Sequence, residues 1–238
     1  MRSKQVMADA EAVADEAAGR FAMHARSAVA AKGRFVVALS GGATPRALYA
    51  RLTHAPIDWE HVHVCWGDER CVPPDHPDSN YRLAHDTLLS KVSIPRENIH
   101  RLRGELDPAQ AAAEYEAELR GLLPEAQFDL VLLGLGADAH TASLFPGTSA
   151  VHETDRWVIG QFVEKLNAYR LTLTPPILNR AAHILFLVAG ADKAAAVRSV
   201  WREPLDPDRF PAQIIAPLRG EVTWLLDRAA ANLEDTAS

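Results

Sequence analysis

The 238-residue sequence predicts an α/β fold, a doubly wound, mostly parallel sheet flanked by helices in the Rossmann-like manner. Three observations lead there. Short, nearly all-apolar runs recur along the chain, as expected of strands covered on both faces. Helical patterns alternate with them. No internal repeat, low-complexity tract or linker interrupts the alternation, so residues 1–238 are expected to form a single domain.

The elements follow in chain order. Met7, Ala10, Val13, Ala14, Ala17, Phe21 and Ala22 form a helical stripe with acids on the opposite side. Arg34–Leu39 reads as a strand, and Pro45 as the first residue of the next helix, with Thr44 as its cap. Val62–Trp66 and Asn98–Leu102 are strand-like. Asp107 followed by Pro108 has the pattern of an N-cap and first helical residue, opening a helix to about Leu122. Phe128–Leu133, Trp157–Gly160 and Arg170–Thr174 are further strand-like runs. Thr174-Pro175 repeats the start signal ahead of Ile177–Ala182, and then come strand-like His183–Ala189, helical Ala191–Trp201 and strand-like Val222–Leu226.

Composition narrows the function. No apolar run approaches the ~20 residues that span a bilayer. Asp9, Glu11, Asp15 and Glu16 break up the alanine-rich amino-terminal stretch, which a signal peptide would not tolerate, so a cytoplasmic location is expected. A net charge of −6 lacks the basic footprint of a nucleic-acid binder, though a few placed cations can still hold a small anion. Cys65 and Cys71 match neither a zinc pattern nor a disulfide scaffold.

In a doubly wound sheet, ligands bind at the carboxyl ends of the strands. Three such loops carry chemistry. Ser40-Gly-Gly-Ala-Thr-Pro45 follows the first apolar run directly. Gly41 and Gly42 let the backbone approach a ligand, and the free amides at the helix start form an anion site that Ser40 and Thr44 can supplement. A plain tight turn would also use Gly and Pro, but the sequence lacks the Lys-Ser or Lys-Thr of a Walker loop. Asp68-Glu69-Arg70 follows the next run, either as a group that positions polar substrate atoms or as a solvated charge cluster. Gly134-Leu-Gly-Ala-Asp138-Ala-His140-Thr-Ala-Ser-Leu-Phe-Pro-Gly147 follows Phe128–Leu133. Here His140 has the side chain suited to proton transfer near neutrality, and Asp138 stands ready to orient it. The same stretch makes a poor dinucleotide fingerprint, because Pro146 and Gly147 end it within two turns, and it contains no Gly-x-Ser-x-Gly elbow. Arg170 and Lys193 add basic groups, and Lys193 near a helix amino terminus hints at an anionic partner.

Taken together, these loops resemble those of the 6-phosphogluconolactonases, in the superfamily that also holds glucosamine-6-phosphate deaminases. The matching text is Ser40–Pro45, Asp68–Arg70, Asp78-Ser-Asn-Tyr81, the block Gly134–Gly147, Arg170-Leu-Thr-Leu-Thr-Pro175 and Gly190-x-x-Lys193. The resemblance implies hydrolysis of 6-phospho-D-glucono-1,5-lactone to 6-phospho-D-gluconate in the oxidative pentose phosphate pathway, with no metal or cofactor. It implies that His140 acts as general base with Asp138 orienting it. Ser40, Gly41, Gly42, Thr44, Asp68, Glu69, Arg70, Arg170 and Lys193 are then expected to bind substrate. A monomer or weak homo-oligomer that binds no nucleic acid or membrane is expected. Deaminases resemble this chain at the glycine loop but carry a glutamate where Phe145 stands, and a catalytically silent sugar-phosphate sensor would have no need of the Asp138–His140 pair. One departure is visible: Ala139 occupies a position that is usually glycine in the family. Its methyl group disfavours positive φ, so a modest shift of His140 is expected if the loop needs that conformation.

Overall fold

The computed structural model describes residues 2–232, and it turns most of the apolar runs into neighbouring strands. In chain order the elements are β1 (Arg2–Met7), α1 (Ala10–Lys32), β2 (Phe35–Leu39), α2 (Ala43–Leu52), β3 (Val62–Trp66), β4 (Asp68–Arg70) and α3 (Asn80–Thr87). There follow α4 (Pro108–Leu122), β5 (Leu130–Leu133), β6 (Val158–Val163), β7 (Ala168–Leu173), α5 (Pro175–Leu178), β8 (His183–Val188), α6 (Ala194–Arg202) and β9 (Glu221–Asp227).

Six strands form one sheet in the order β1-β9-β8-β5-β2-β3, with every pairing parallel. β2 and β5 are buried at every position, which explains why their sequences show no alternation. Helix α1 covers one face. Its Phe21 meets Phe35 of β2 edge-on at 5.3 Å, and burial of each such ring contributes about 1.5–3 kcal/mol. Asp9 caps this helix by accepting from the Ala12 N–H at 2.9 Å, and Gly33 ends it in the left-handed region at φ 76°. Asp107 likewise accepts from the Ala109 and Gln110 amides to start α4.

From β2 the chain winds outward to β3, then returns across β2 to β5 and winds the other way to β8 and β9. The winding therefore reverses between β2 and β5. At such a reversal the loops leaving the two strands diverge and open a crevice above their carboxyl ends.

A second sheet lies outside the doubly wound pattern. The three strands β4, β7 and β6 pair antiparallel in that order, with Asp68 opposite Thr172 and Arg70 opposite Arg170. β4 continues from β3 through Gly67, whose N–H donates to Leu39 and whose carbonyl accepts from Leu173. The small sheet thus stands directly on the carboxyl end of the large one.

Four local expectations need correction. Met7 belongs to β1, an edge strand too polar to be marked by apolar pattern; its Arg2 guanidinium lies over the Trp201 ring at 4.1 Å, holding the edge by cation–π contact. Asn98–Leu102 makes one bridge, Ile99 to Val64, and no strand. The helix expected over Ile177–Ala182 is the single turn α5, which ends where the Asn179 side chain turns away to donate to the Ile214 carbonyl. Thr44 does not cap α2: the helix starts two residues earlier than expected, at Ala43, with Gly42 in the capping position.

Candidate active site

A cavity of about 230 Å³ lies at the winding reversal. Around it stand Ser40, Gly41 and Gly42 after β2, Asp68 and Arg70 of β4, Asn80 of α3, the β5 loop with His140, and Lys193 beyond β8. Seven of the eleven sequence-predicted site residues line it: His140, Ser40, Gly41, Gly42, Asp68, Arg70 and Lys193.

The glycine loop is held rigid from beneath. Tyr49, fully buried on α2, donates its hydroxyl to the Ser40 carbonyl at 2.6 Å and accepts from the Ser40 N–H at 3.1 Å. Gly42 then turns at φ 110°, a conformation that excludes a side chain at little cost only for glycine, and α2 begins at once. The first amides of α2 have no partner within the helix, and they and the dipole make an anion site beside Ser40. Thr44 lies within the first turn and outside the cavity wall.

The acid pair divides its labour because successive side chains of a strand point to opposite faces. Asp68 faces the cavity, accepting from the Ser143 hydroxyl at 2.8 Å and the Asn80 amide at 3.2 Å. Glu69 points the other way and is buried. Its carboxylate accepts from the Arg70, Asn80 and Tyr81 N–H groups and the Ser79 hydroxyl, all at 2.7–3.0 Å. Burial raises its pKa, and the three backbone donors oppose that rise. Every contact of Glu69 is internal: it fixes the start of α3, and with it Asn80, rather than reaching substrate space. Asn80 also lines the cavity; the motif Asp78-Ser-Asn-Tyr81 contains it, but no local pattern singles it out. Its Oδ1 is so close to Gly41 that a Cβ there would fall 1.9 Å away, which accounts for the first glycine.

Three cations stand at or near the cavity. Arg70 donates to the Asp78 carbonyl and lines the cavity. Arg170 lies next to it across the β4–β7 ladder, outside the cavity wall, with its pKa pulled down by burial and by the neighbouring Arg70 charge. Two guanidinium groups in this register favour an anion nearby. Lys193 sits in a short helical turn after Gly190 and pairs with Asp192 at 3.0 Å.

The loop after β5 carries the dyad. His140 Nδ1 and Asp138 Oδ1 are 2.5 Å apart, and the His140 N–H also reaches Asp138 Oδ1 at 3.3 Å. The bond to the imidazole, helped by Lys165, holds the Asp138 carboxyl well below the usual carboxylate range. With Nδ1 engaged, Nε2 is the ring nitrogen left for chemistry. The ring packs on Phe145 at a centroid distance of 4.3 Å.

Ala139 adopts φ 63°, the conformation expected to favour glycine, and the dyad forms nonetheless. The loop is tied on both sides, Gly136 N–H to the His140 carbonyl at 2.8 Å and Ala212 N–H to the Ala139 carbonyl at 3.0 Å. Left-handed strain costs alanine about 1–2 kcal/mol. Glycine would relieve it, but would lose about 0.4–1 kcal/mol to unfolded-chain entropy and about 0.8 kcal/mol of methyl burial. The terms nearly cancel. Ala139→Gly is therefore expected to move the stability by less than about 1 kcal/mol in urea denaturation and to keep the wild-type rate; a markedly faster variant would show that the methyl group displaces His140.

Residues 8–224 match the family of glucosamine-6-phosphate isomerases/6-phosphogluconolactonase. A 6-phosphogluconolactonase of Synechocystis sp. is 47% identical over 212 residues, which cover 85% of this chain and 86% of the relative. A 6-phosphogluconolactonase of Haemophilus influenzae is 37% identical over 201 residues, covering 83% and 86%. The solved structure of 6-phosphogluconolactonase from Trypanosoma brucei superposes with a TM-score of 0.87 at 29% identity, covering 97% of this chain and 98% of that one.

Proposed function

The chain belongs to the family of glucosamine-6-phosphate isomerases and 6-phosphogluconolactonases, and from that premise we infer how its site performs lactone hydrolysis. It is a carboxylic ester hydrolase that converts 6-phospho-D-glucono-1,5-lactone to 6-phospho-D-gluconate in the oxidative pentose phosphate pathway. The observation that carries the proposed residue roles is the meeting of the Asp138–His140 pair and the Ser40–Gly42 loop in one cavity.

The α2 amides, Ser40, Arg70 and Lys193 grip the 6-phosphate, with Arg170 adding positive potential from behind. That anchor fixes the lactone ring so that C1 lies by His140, replacing a random encounter with a positioned one. His140 Nε2 takes a proton from a water molecule, and the hydroxide oxygen bonds to C1. The tetrahedral intermediate collapses by breaking the bond from C1 to the ring oxygen, which receives the proton back from the imidazolium. The resulting acid releases a proton to solvent. Asp138 keeps the ring oriented and stabilises the imidazolium while it exists. Phe145 contributes only an apolar face against the imidazole, at the position where the deaminase resemblance would require a glutamate.

The test is acid release from freshly prepared lactone, followed near neutrality against spontaneous hydrolysis. Acceleration far beyond the spontaneous rate is expected, and equal rates would overturn the proposal. Ammonia release from glucosamine 6-phosphate would favour the deaminase, and binding of 6-phosphogluconate without turnover a sensor. A cytoplasmic setting and a monomeric or weakly associating state belong to the same proposal; among the described residues no helix is long and apolar enough to cross a membrane.

A further inference from the structure

The hairpin between β6 and β7 brings a charge to the dyad from outside the substrate cavity. Its tip is a short helical turn, Glu164–Leu166, closed by Asn167 at φ 48° and by the Asn167 N–H donating to the Glu164 carbonyl at 3.0 Å. The β6–β7 ladder runs unbroken to this tip, pairing Val163 with Ala168, so the position of the turn is set by the small sheet. From it Lys165 extends its Nζ to within 2.7 Å of Asp138 Oδ2. Asp138 thereby has a different partner on each oxygen, the imidazole on Oδ1 and the ammonium on Oδ2.

We propose that Lys165 is a positioning residue for hydrolysis, acting through Asp138 to set the orientation and charge balance of His140. Lys165 does not share the substrate cavity: it and Asp138 form part of the wall of a separate, larger cavity of about 720 Å³, while His140 lines the smaller one. The dyad therefore bridges the partition between them. A carboxylate held by one oxygen turns easily about its terminal torsion; a second anchor fixes its plane and hence the imidazole bonded to it. The ammonium also offsets the negative charge that Asp138 places beside the ring.

The sign of the charge effect is definite. Without Lys165 the Asp138 carboxylate is less compensated and favours the protonated imidazole, so the base is lost at a higher pH. The other charged residues lining the two cavities are Asp68 and Arg70 from β4, Lys193 beyond β8, and Glu164 at the hairpin tip. None of these changes in the Lys165 variant.

This inference rests on the proposed roles of Asp138 and His140, and the experiment separates the two. Profiles of kcat and KM against pH are recorded for the full chain with freshly prepared lactone. Lys165→Met is expected to lower kcat about 3- to 10-fold with KM unchanged and to move the acidic limb of kcat/KM up by about half a pH unit, the scale of an exposed charge pair. Lys165→Arg restores both, and Glu164→Gln moves neither. A Lys165→Met profile that overlays the wild type, or an equal shift from Glu164→Gln, overturns the inference. If His140→Ala also keeps full activity, the proposed dyad itself has failed; if His140→Ala is inactive while Lys165→Met is normal, only the role of Lys165 has.

Discussion

His140→Ala is expected to lower kcat for lactone hydrolysis by about 10²–10³, within the range that a positioned general base contributes. KM should stay within a few-fold of the wild-type value, because the groups assigned to the phosphate are other residues of the cavity wall, Ser40, Arg70 and Lys193. That split decides between two contributions to rate. If anchoring alone supplied the acceleration, by holding an already reactive lactone, losing the imidazole would cost little. If proton transfer dominates, kcat collapses and binding survives. The side chain is partly exposed and its main polar contact is Asp138, so the fold should tolerate its removal; thermal melting checks that the protein remains folded. An alanine variant retaining more than half of the wild-type kcat would remove His140 from the mechanism.

Gly136→Ala should be nearly as damaging without touching either dyad residue. A Cβ at position 136 would lie 2.0 Å from His140 Nδ1, 2.1 Å from His140 Cε1 and 2.7 Å from Asp138 Oδ1. It would intrude on the short bond itself. The backbone at 136 is held by its bond to the His140 carbonyl, so the side chains must give way rather than the main chain. We expect a loss of kcat of about 10² at a stability cost of about 1–3 kcal/mol, the usual price of overpacking. Gly134→Ala, two residues earlier, adds a methyl with nothing within 4 Å and is expected to cost far less. Similar activities for the two variants would show that the loop does not hold the dyad where the geometry places it.

Much of this site was legible in the sequence because its parts are local. Gly42, the start of α2, Asp138 and His140 lie within short loops whose spacing alone puts a hydroxyl, free amides or an imidazole at a strand end. The apolar runs of β2, β3, β5, β8 and β9 were visible because strands buried on both faces must be continuously apolar. β1 and β4 escaped for the opposite reason. Each is short or polar, and each is a strand only because a partner, β9 or β7, lends its hydrogen bonds.

The division between Asp68 and Glu69 could not be read from their adjacency. Both are acids in one motif, and only the pairing of β4 with β7 decides which one faces the cavity and which is consumed by Ser79, Asn80 and Tyr81. The same holds for Asn80 and Lys165, which are distant in sequence from the groups they serve and reach them only because α3 is anchored on Glu69 and the small sheet stands on β3.

By itself the sequence determined the α/β class, the glycine loop and the placing of Asp138 and His140 in one loop after a strand, since each is carried by composition or by spacing of a few residues; the family came from the resemblance of whole motifs to known proteins. The tertiary structure alone decided where the winding reverses, which carboxylate faces the cavity, and that a lysine from a separate hairpin meets Asp138. Those are outcomes of strand pairing across long separations, and pairing is set by the burial of whole sheet faces, which no single loop encodes.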